Sequence, residues 1–155
     1  MDVADDFASF YESQFPALTG YAYQLVRDRE LARDLAQEAF SRLLSRWVGL
    51  REPKAYVFHV VTNLVRDNWK RQQRHRAGLE RIARDGTTSV SGPDLAIADA
   101  VERLPDRHRE VVLLFYYSDL TLQEVAKSVR RPEGTVKRLL SEARATLATT
   151  LEDPR

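Results

Sequence analysis

Cysteine is absent from all 155 residues. Disulfides, thiolate nucleophiles and cysteine-held metals are thereby excluded, and the fold must stand on packing alone. Glycine is scarce, and its six copies are dispersed, so no glycine-rich phosphate loop exists. The three histidines, His59, His75 and His108, lack metal-ligand spacing. No carboxylate pairs with a nucleophile. Catalysis by this chain is therefore not expected, and neither a cofactor nor a bound metal is implied. Long apolar runs are missing as well, so membrane insertion is not expected. The opening Met1-Asp2-Val3-Ala4-Asp5-Asp6 is acidic and has no basic signal-peptide start, which makes a cytoplasmic location the expectation.

What is present is an uneven distribution of charge. The formal net charge of +1 hides a net −5 over residues 1–40, +8 over 41–84 and −2 over 85–155. A basic middle on a nearly neutral chain suggests a localised polyanion contact, the alternative being an arginine-rich solvated face.

The pattern is helical almost throughout, which makes the expected fold class all-α. A short helix is expected over 5–14, with Phe7, Phe10 and Tyr11 on one side. Pro16 can open a second helix to about Val26. Asp28 is suited to cap a third, Arg29 to Trp47, whose apolar residues are Leu31, Ala32, Leu35, Ala36, Ala39, Phe40, Leu43, Leu44 and Trp47. Gly49 breaks it, and Pro53 starts a fourth helix reaching at least Arg74, with Val57, Val60, Val61, Leu64, Val65 and Asn68 inward. Residues 77–84 either extend that helix or form a separate turn. The stretch Asp85-Gly-Thr-Thr-Ser-Val-Ser-Gly-Pro93 concentrates Gly, Ser, Thr and Pro and reads as a flexible linker. Two small domains are expected, 1–76 and 94–151, with 77–93 between them.

The second domain opens with a helix over 94–103. Another runs from Pro105 to about Tyr117, where the apolar run Val111 to Tyr117 also admits a strand but has helical neighbours on both sides. Thr121-Leu-Gln-Glu124 is a capping-box pattern. Leu122, Val125, Ala126 and Val129 then share a face. After Arg130-Arg131, Pro132 can start a last helix with Val136, Leu139, Leu140, Ala143 and Leu147 inward. Two short helices joined by a tight turn form a helix-turn-helix between about Thr121 and Leu147, a layout that reads DNA.

At about 100° per residue, the outward face of the last helix carries Arg131, Gly134, Arg138, Ser141, Glu142 and Ala145, with Lys137 at its edge. Small residues allow close approach to a groove, and cations reach phosphates or guanine edges. Glu142 works against this. On the helix from Pro53, the residues Tyr56, His59, Asn63, Arg66 and Lys70 form one stripe opposite the valines, and Arg71, Arg74 and Arg76 prolong the positive surface. One aromatic, two hydrogen-bonding groups and two cations suit a strand with partly unstacked bases. An ordinary solvated face is the alternative for both. The helix from Arg29 carries the reverse: Asp34, Gln37, Glu38, Ser41 and Ser45 form a polar stripe that repels DNA and suits a basic partner, or serves solubility.

These segments together resemble the extracytoplasmic-function (ECF) sigma factors of bacterial RNA polymerase, over nearly the whole chain. Residues 28–40 are similar to the family segment that docks on the polymerase clamp helices. The resemblance gives Asp34, Leu35, Gln37, Glu38 and Phe40 that role, by contact or by packing. Residues 53–67 resemble the segment that melts and reads the minus-ten element, with Asn63 and Asp67 on its characteristic positions and Tyr56 where a tryptophan is usual. By the same likeness Tyr56, His59, Asn63, Arg66, Lys70 and Arg71 face the minus-ten element. Leu104-Pro105 through Glu110, the pair Tyr116-Tyr117 and Gly134-Thr-Val-Lys137 are similar to the family's second domain. Arg131, Thr135, Lys137, Arg138 and Ser141 then face the minus-thirty-five element. Arg130 to Glu133 replaces a glycine-containing turn, and the cation at Arg138 is displaced by one position. The implied partners are core RNA polymerase and promoter DNA, with room for an anti-sigma factor. The alternative function is a helix-turn-helix regulator that binds operators without joining polymerase.

Overall fold

The computed structural model describes residues 3–76 and 99–152. The chain divides into two compact units, 1–86 and 87–155. All regular structure among the described residues is helical.

The first unit holds three helices: α1 (Val3–Val26), α2 (Arg29–Arg46) and α3 (Pro53–Arg76), with a single 3₁₀ turn, Trp47–Gly49, after α2. Each helix packs on the other two. α1 differs from the expected pair of short helices, because it runs unbroken through Pro16. An interior proline removes one backbone hydrogen bond and costs about 3 kcal/mol. Burial on both sides of it offsets that cost. Before Pro16, the rings of Phe7, Phe10, Tyr11 and Phe15 lie 6.5, 6.2, 4.7 and 6.1 Å from the ring of Phe40. After it, Leu18, Tyr21, Ala22 and Leu25 are buried. One unbroken helix thus places the first set against Phe40 of α2 and Tyr21 against Phe58 and Thr62 of α3.

The turn from α1 to α2 is set locally. Arg27 adopts a left-handed φ of 56°, and its N–H donates to the Tyr23 carbonyl. Asp28 caps α2 as expected, its carboxylate accepting from Leu31 N–H at 3.1 Å. The inward face of α2 is Ala32, Leu35, Ala36, Ala39, Phe40 and Leu43. Leu44, expected on that face, is 57% exposed. It lies roughly 100° from the centre of the buried stripe, which continues from Leu43 to Trp47 instead.

α3 buries Val57, Val60, Val61 and Val65 as expected, together with Phe58 and Thr62. Leu64 and Asn68 are only half-buried. Thr62 Oγ1 donates to the Phe58 carbonyl at 2.8 Å, which leaves the Tyr21 hydroxyl to donate to Thr62 Oγ1, also at 2.8 Å. This polar link joins α1 to α3 inside the core. Residues 77–98, including the expected linker and the start of the next helix, lie outside the described residues.

Among the described residues, the second unit holds helical residues 99–102, followed by α4 (Asp106–Ser118), α5 (Leu122–Val129) and α6 (Glu133–Glu152). The apolar run from Val111 is helical, with Val111, Leu113 and Leu114 buried and Tyr116 exposed. Arg109 is buried and bridges the break at Pro105, donating to the Glu102 carbonyl and to Asp106 Oδ1. Asp119 ends α4 in the left-handed region. The capping box forms at α5: Glu124 N–H donates to Thr121 Oγ1 at 3.1 Å, and Thr121 N–H to Glu124 Oε1 at 3.0 Å. At its other end Arg130 takes a left-handed φ of 56°. Arg131 N–H reaches back to the Ala126 carbonyl and Arg130 N–H to that of Lys127, the paired bonds of a Schellman turn. α6 then buries Val136, Leu139, Leu140 and Ala143, with Leu147 half-buried.

Candidate nucleic-acid interface

α3 turns its valines inward, so the opposite side carries the stripe from Tyr56 to Lys70. Lys70 and Arg71 are exposed, and Tyr56, His59, Asn63 and Arg66 are half-buried. His59 Nε2 and Asn63 Nδ2 lie 3.2 Å apart in a hydrogen bond, so the two groups expected to meet base edges are bonded to each other. Arg46, at the end of α2, places its guanidinium carbon 5.9 Å from the centre of the Tyr56 ring. Sequence reasoning passed over Arg46, because its link to Tyr56 crosses two helices and leaves no periodic trace. The Arg76 side chain lies outside what is described.

On α6, Gly134, Lys137, Arg138, Ser141, Glu142 and Ala145 are exposed together. Thr135 is half-buried in the first turn. Arg131 lies in the turn before α6, as expected, and is half-buried there, where the backbone doubles back at Arg130. Arg138 Nη1 donates to Glu142 Oε1 at 3.3 Å, and the same carboxylate oxygen accepts from His108 Nε2 at 3.0 Å. The hydrogen bond from His108, opposed by desolvation and reinforced by the Arg138 charge, holds the Glu142 carboxyl below the ordinary range. His108 looked isolated in the sequence, since its partner is 34 residues away.

On α2, Asp34, Gln37 and Glu38 are exposed, whereas Leu35 and Phe40 are buried. Of the five residues expected at the polymerase surface, these two act from inside. Phe40 in particular anchors the aromatic cluster. Gln37 Nε2 donates to the Tyr11 hydroxyl at 3.1 Å, and Arg42 pairs with Glu38 at 3.0 Å. Next to this face, Val48 is 84% exposed. Among the described residues, no group of three or more His, Asp or Glu is placed to hold a metal ion, and no helix is long and apolar enough to cross a membrane.

A helix-turn-helix unit and, in the same chain, a three-helix unit with a cationic helix face have the layout of a DNA-binding protein. The sequence profile of sigma-70 region 2 matches residues 10–75, and that of sigma-70 region 4 matches residues 94–147. The chain is 31% identical to the ECF RNA polymerase sigma factor SigL of Mycobacterium tuberculosis, over 94% of this chain and 88% of that protein. It is 33% identical to the probable RNA polymerase sigma factor RfaY of Xanthomonas campestris, over 84% of this chain, and spans 36% of that relative. In fold it matches the sigma factor RpoE of Bartonella quintana, solved in complex with the anti-sigma factor NepR. The TM-score is 0.77 at 22% identity, covering 97% of this chain and 99% of that one. The chain belongs to the ECF sigma factors of the sigma-70 family, which direct promoter recognition by RNA polymerase and act as non-enzymatic regulatory subunits. The operator-binding alternative loses its ground, because the family match takes in the first unit as well as the helix-turn-helix.

Proposed function

We propose that the two units divide the promoter between them. Residues 1–76 bind core polymerase and open the minus-ten element, 94–151 read the minus-thirty-five element, and 77–93 connect them. Asp34, Gln37 and Glu38 offer the outward face of α2 to a basic surface of the polymerase, while Leu35 and Phe40 hold that helix in place. Tyr56, His59, Asn63, Arg66, Lys70 and Arg71 receive the opened strand. In the second unit Lys137, Arg138 and Ser141 enter the groove, with Thr135 and Arg131 on the flanking phosphates. The protein works in the cytoplasm, where the polymerase is, and needs no cofactor.

The observation that carries this reading is the contrast between two faces of one unit. α2 presents Asp34 and Glu38, which repel DNA, and α3 presents Lys70 and Arg71, which attract it. The outward acids of α2, one of them paired with Arg42, and the outward cations of α3 suit different partners. Abortive-initiation and polymerase-binding assays test it in parallel. Lys70→Ala should slow open-complex formation about tenfold while leaving polymerase affinity unchanged, and Glu38→Arg should do the reverse. Equal loss in both assays from either change would refute the division.

An anti-sigma factor is a further expected partner, since the Bartonella relative of the same fold was solved with one. Such a partner would act by covering the α2 or α3 face.

A further inference from the structure

Glu142 stands one turn after Arg138 on the exposed side of α6, where a carboxylate repels phosphates. It is tied down from two directions. Its Oε1 accepts from His108 Nε2 at 3.0 Å, and Arg138 Nη1 donates to Oε1 and Oε2 at 3.3 and 3.4 Å. His108 belongs to α4, which packs along α6, and its side chain is 16% exposed against 57% for Arg138. The core therefore fixes the imidazole, the imidazole fixes the carboxylate, and the carboxylate fixes the guanidinium.

The direction of that last contact matters. Both Glu142 oxygens meet the same nitrogen of Arg138. Among the described residues the other edge of the guanidinium, Nε with Nη2, makes no hydrogen bond. That edge is a planar two-donor fork, which matches O6 and N7 of guanine. The same fork can hold a phosphate, but the neighbouring Glu142 carboxylate repels an anion and not a neutral base edge. The local arrangement thus favours a base edge over a phosphate for Arg138. It also explains why an acid is tolerated on a helix face that meets DNA.

We propose that Glu142 is a positioning residue for promoter specificity: anchored by His108, it turns Arg138 so that the free edge of the guanidinium reads one guanine of the upstream element. The proposal rests on the reading of α6 as the upstream-element helix. His108 is its buttress on α4, one element removed from the DNA.

The test uses holoenzyme assembled from the full chain and a promoter library randomised across the upstream element. Enriched sequences are read out, and binding to a scrambled duplex is measured separately. In the unsubstituted protein one position selects guanine, and Arg138→Ala abolishes that selection. Glu142→Ala lowers selection at the same position by about tenfold, while binding to scrambled duplex stays equal or rises. Glu142→Gln keeps an acceptor oxygen and retains most of the selection. His108→Gln relaxes the same position by a smaller factor. The proposal is overturned if Glu142→Ala leaves guanine selection intact, or if it strengthens selected and scrambled DNA alike, since the carboxylate would then merely restrain Arg138. A uniform loss on all sequences with a lower melting midpoint would make Glu142 structural, and also overturns it. If Arg138→Ala changes no position at all, the reading of α6 itself fails and the proposal falls with it.

Discussion

The three helices of the first unit run 24, 18 and 24 residues, whereas α5 in the second unit has eight. Long helices bury enough apolar surface to absorb a local fault, and α1 carries Pro16 without breaking. An eight-residue helix has no such reserve, because helices this short are marginal by themselves. α5 is accordingly closed by a capping box at one end and a Schellman turn at the other. The difference matches what each unit presents. The first offers broad helix faces, with Asp34 and Glu38 outward on α2 and Lys70 and Arg71 outward on α3. In the second, α6 follows directly on α5 and its closing turn, so those short segments fix where α6 starts. Both units rest on a buried apolar core, and in the second the shortest helix depends in addition on how its two ends are closed.

That comparison can be broken by substitution. Phe40→Ala should cost the first unit about 3–5 kcal/mol, since four rings of α1 lose their common contact. Denaturant unfolding should show an early transition for the first unit, with helicity of the second retained. A single cooperative loss of both would contradict independent units. Thr121→Ala should cost about 1 kcal/mol by removing the bond from Glu124 N–H to Thr121 Oγ1, while the Thr121 N–H keeps its bond to Glu124 Oε1, and chemical denaturation of the second unit should register it. The equivalent loss at Asp28 should matter less to function, because α2 is held along its length.

The sign reverses at Arg130, which holds φ at 56° without being glycine. Arg130→Gly should stabilise the second unit by about 1 kcal/mol, readable as a raised melting midpoint. A fall would mean that the arginine side chain itself holds the turn. The smallest effect concerns Glu142. Its carboxyl should titrate below the ordinary glutamate range in an NMR pH series, and His108→Gln should return it toward that range. Because the folded value is the lowered one, the contact's contribution is complete at neutral pH. It disappears only as the pH falls through that lowered value. An unshifted titration would place the His108 contact outside the solution state.

Much of the fold was legible from local signals. Asp28, the Thr121–Glu124 box and the inward valines of α3 each announce themselves within one or two turns, because capping and periodicity are short-range effects. Pro16 misled for the same reason. Locally it reads as a helix start, and only the burial of residues on both sides of it keeps α1 whole. Leu44 misled because apolar character says nothing about angle at the margin of a stripe. The site residues divide in the same way. The stripe from Tyr56 to Lys70 follows from spacing, but Arg46 over Tyr56 and His59 against Asn63 do not. Leu35 and Phe40 were legible as apolar, yet their position inside the unit depends on which rings of α1 come to meet them.

The sequence by itself determined the helices other than α1, the caps at Asp28 and Thr121, the helix-turn-helix layout and the segregation of charge along the chain, because each depends on residues within a few positions of one another. Only the tertiary structure decided how the side chains on those faces are held. The tie from His108 through Glu142 to Arg138 spans α4 and α6, and neither helix's periodicity encodes it. Contacts across helices depend on packing angle and depth, which arise from the whole core and not from any one segment.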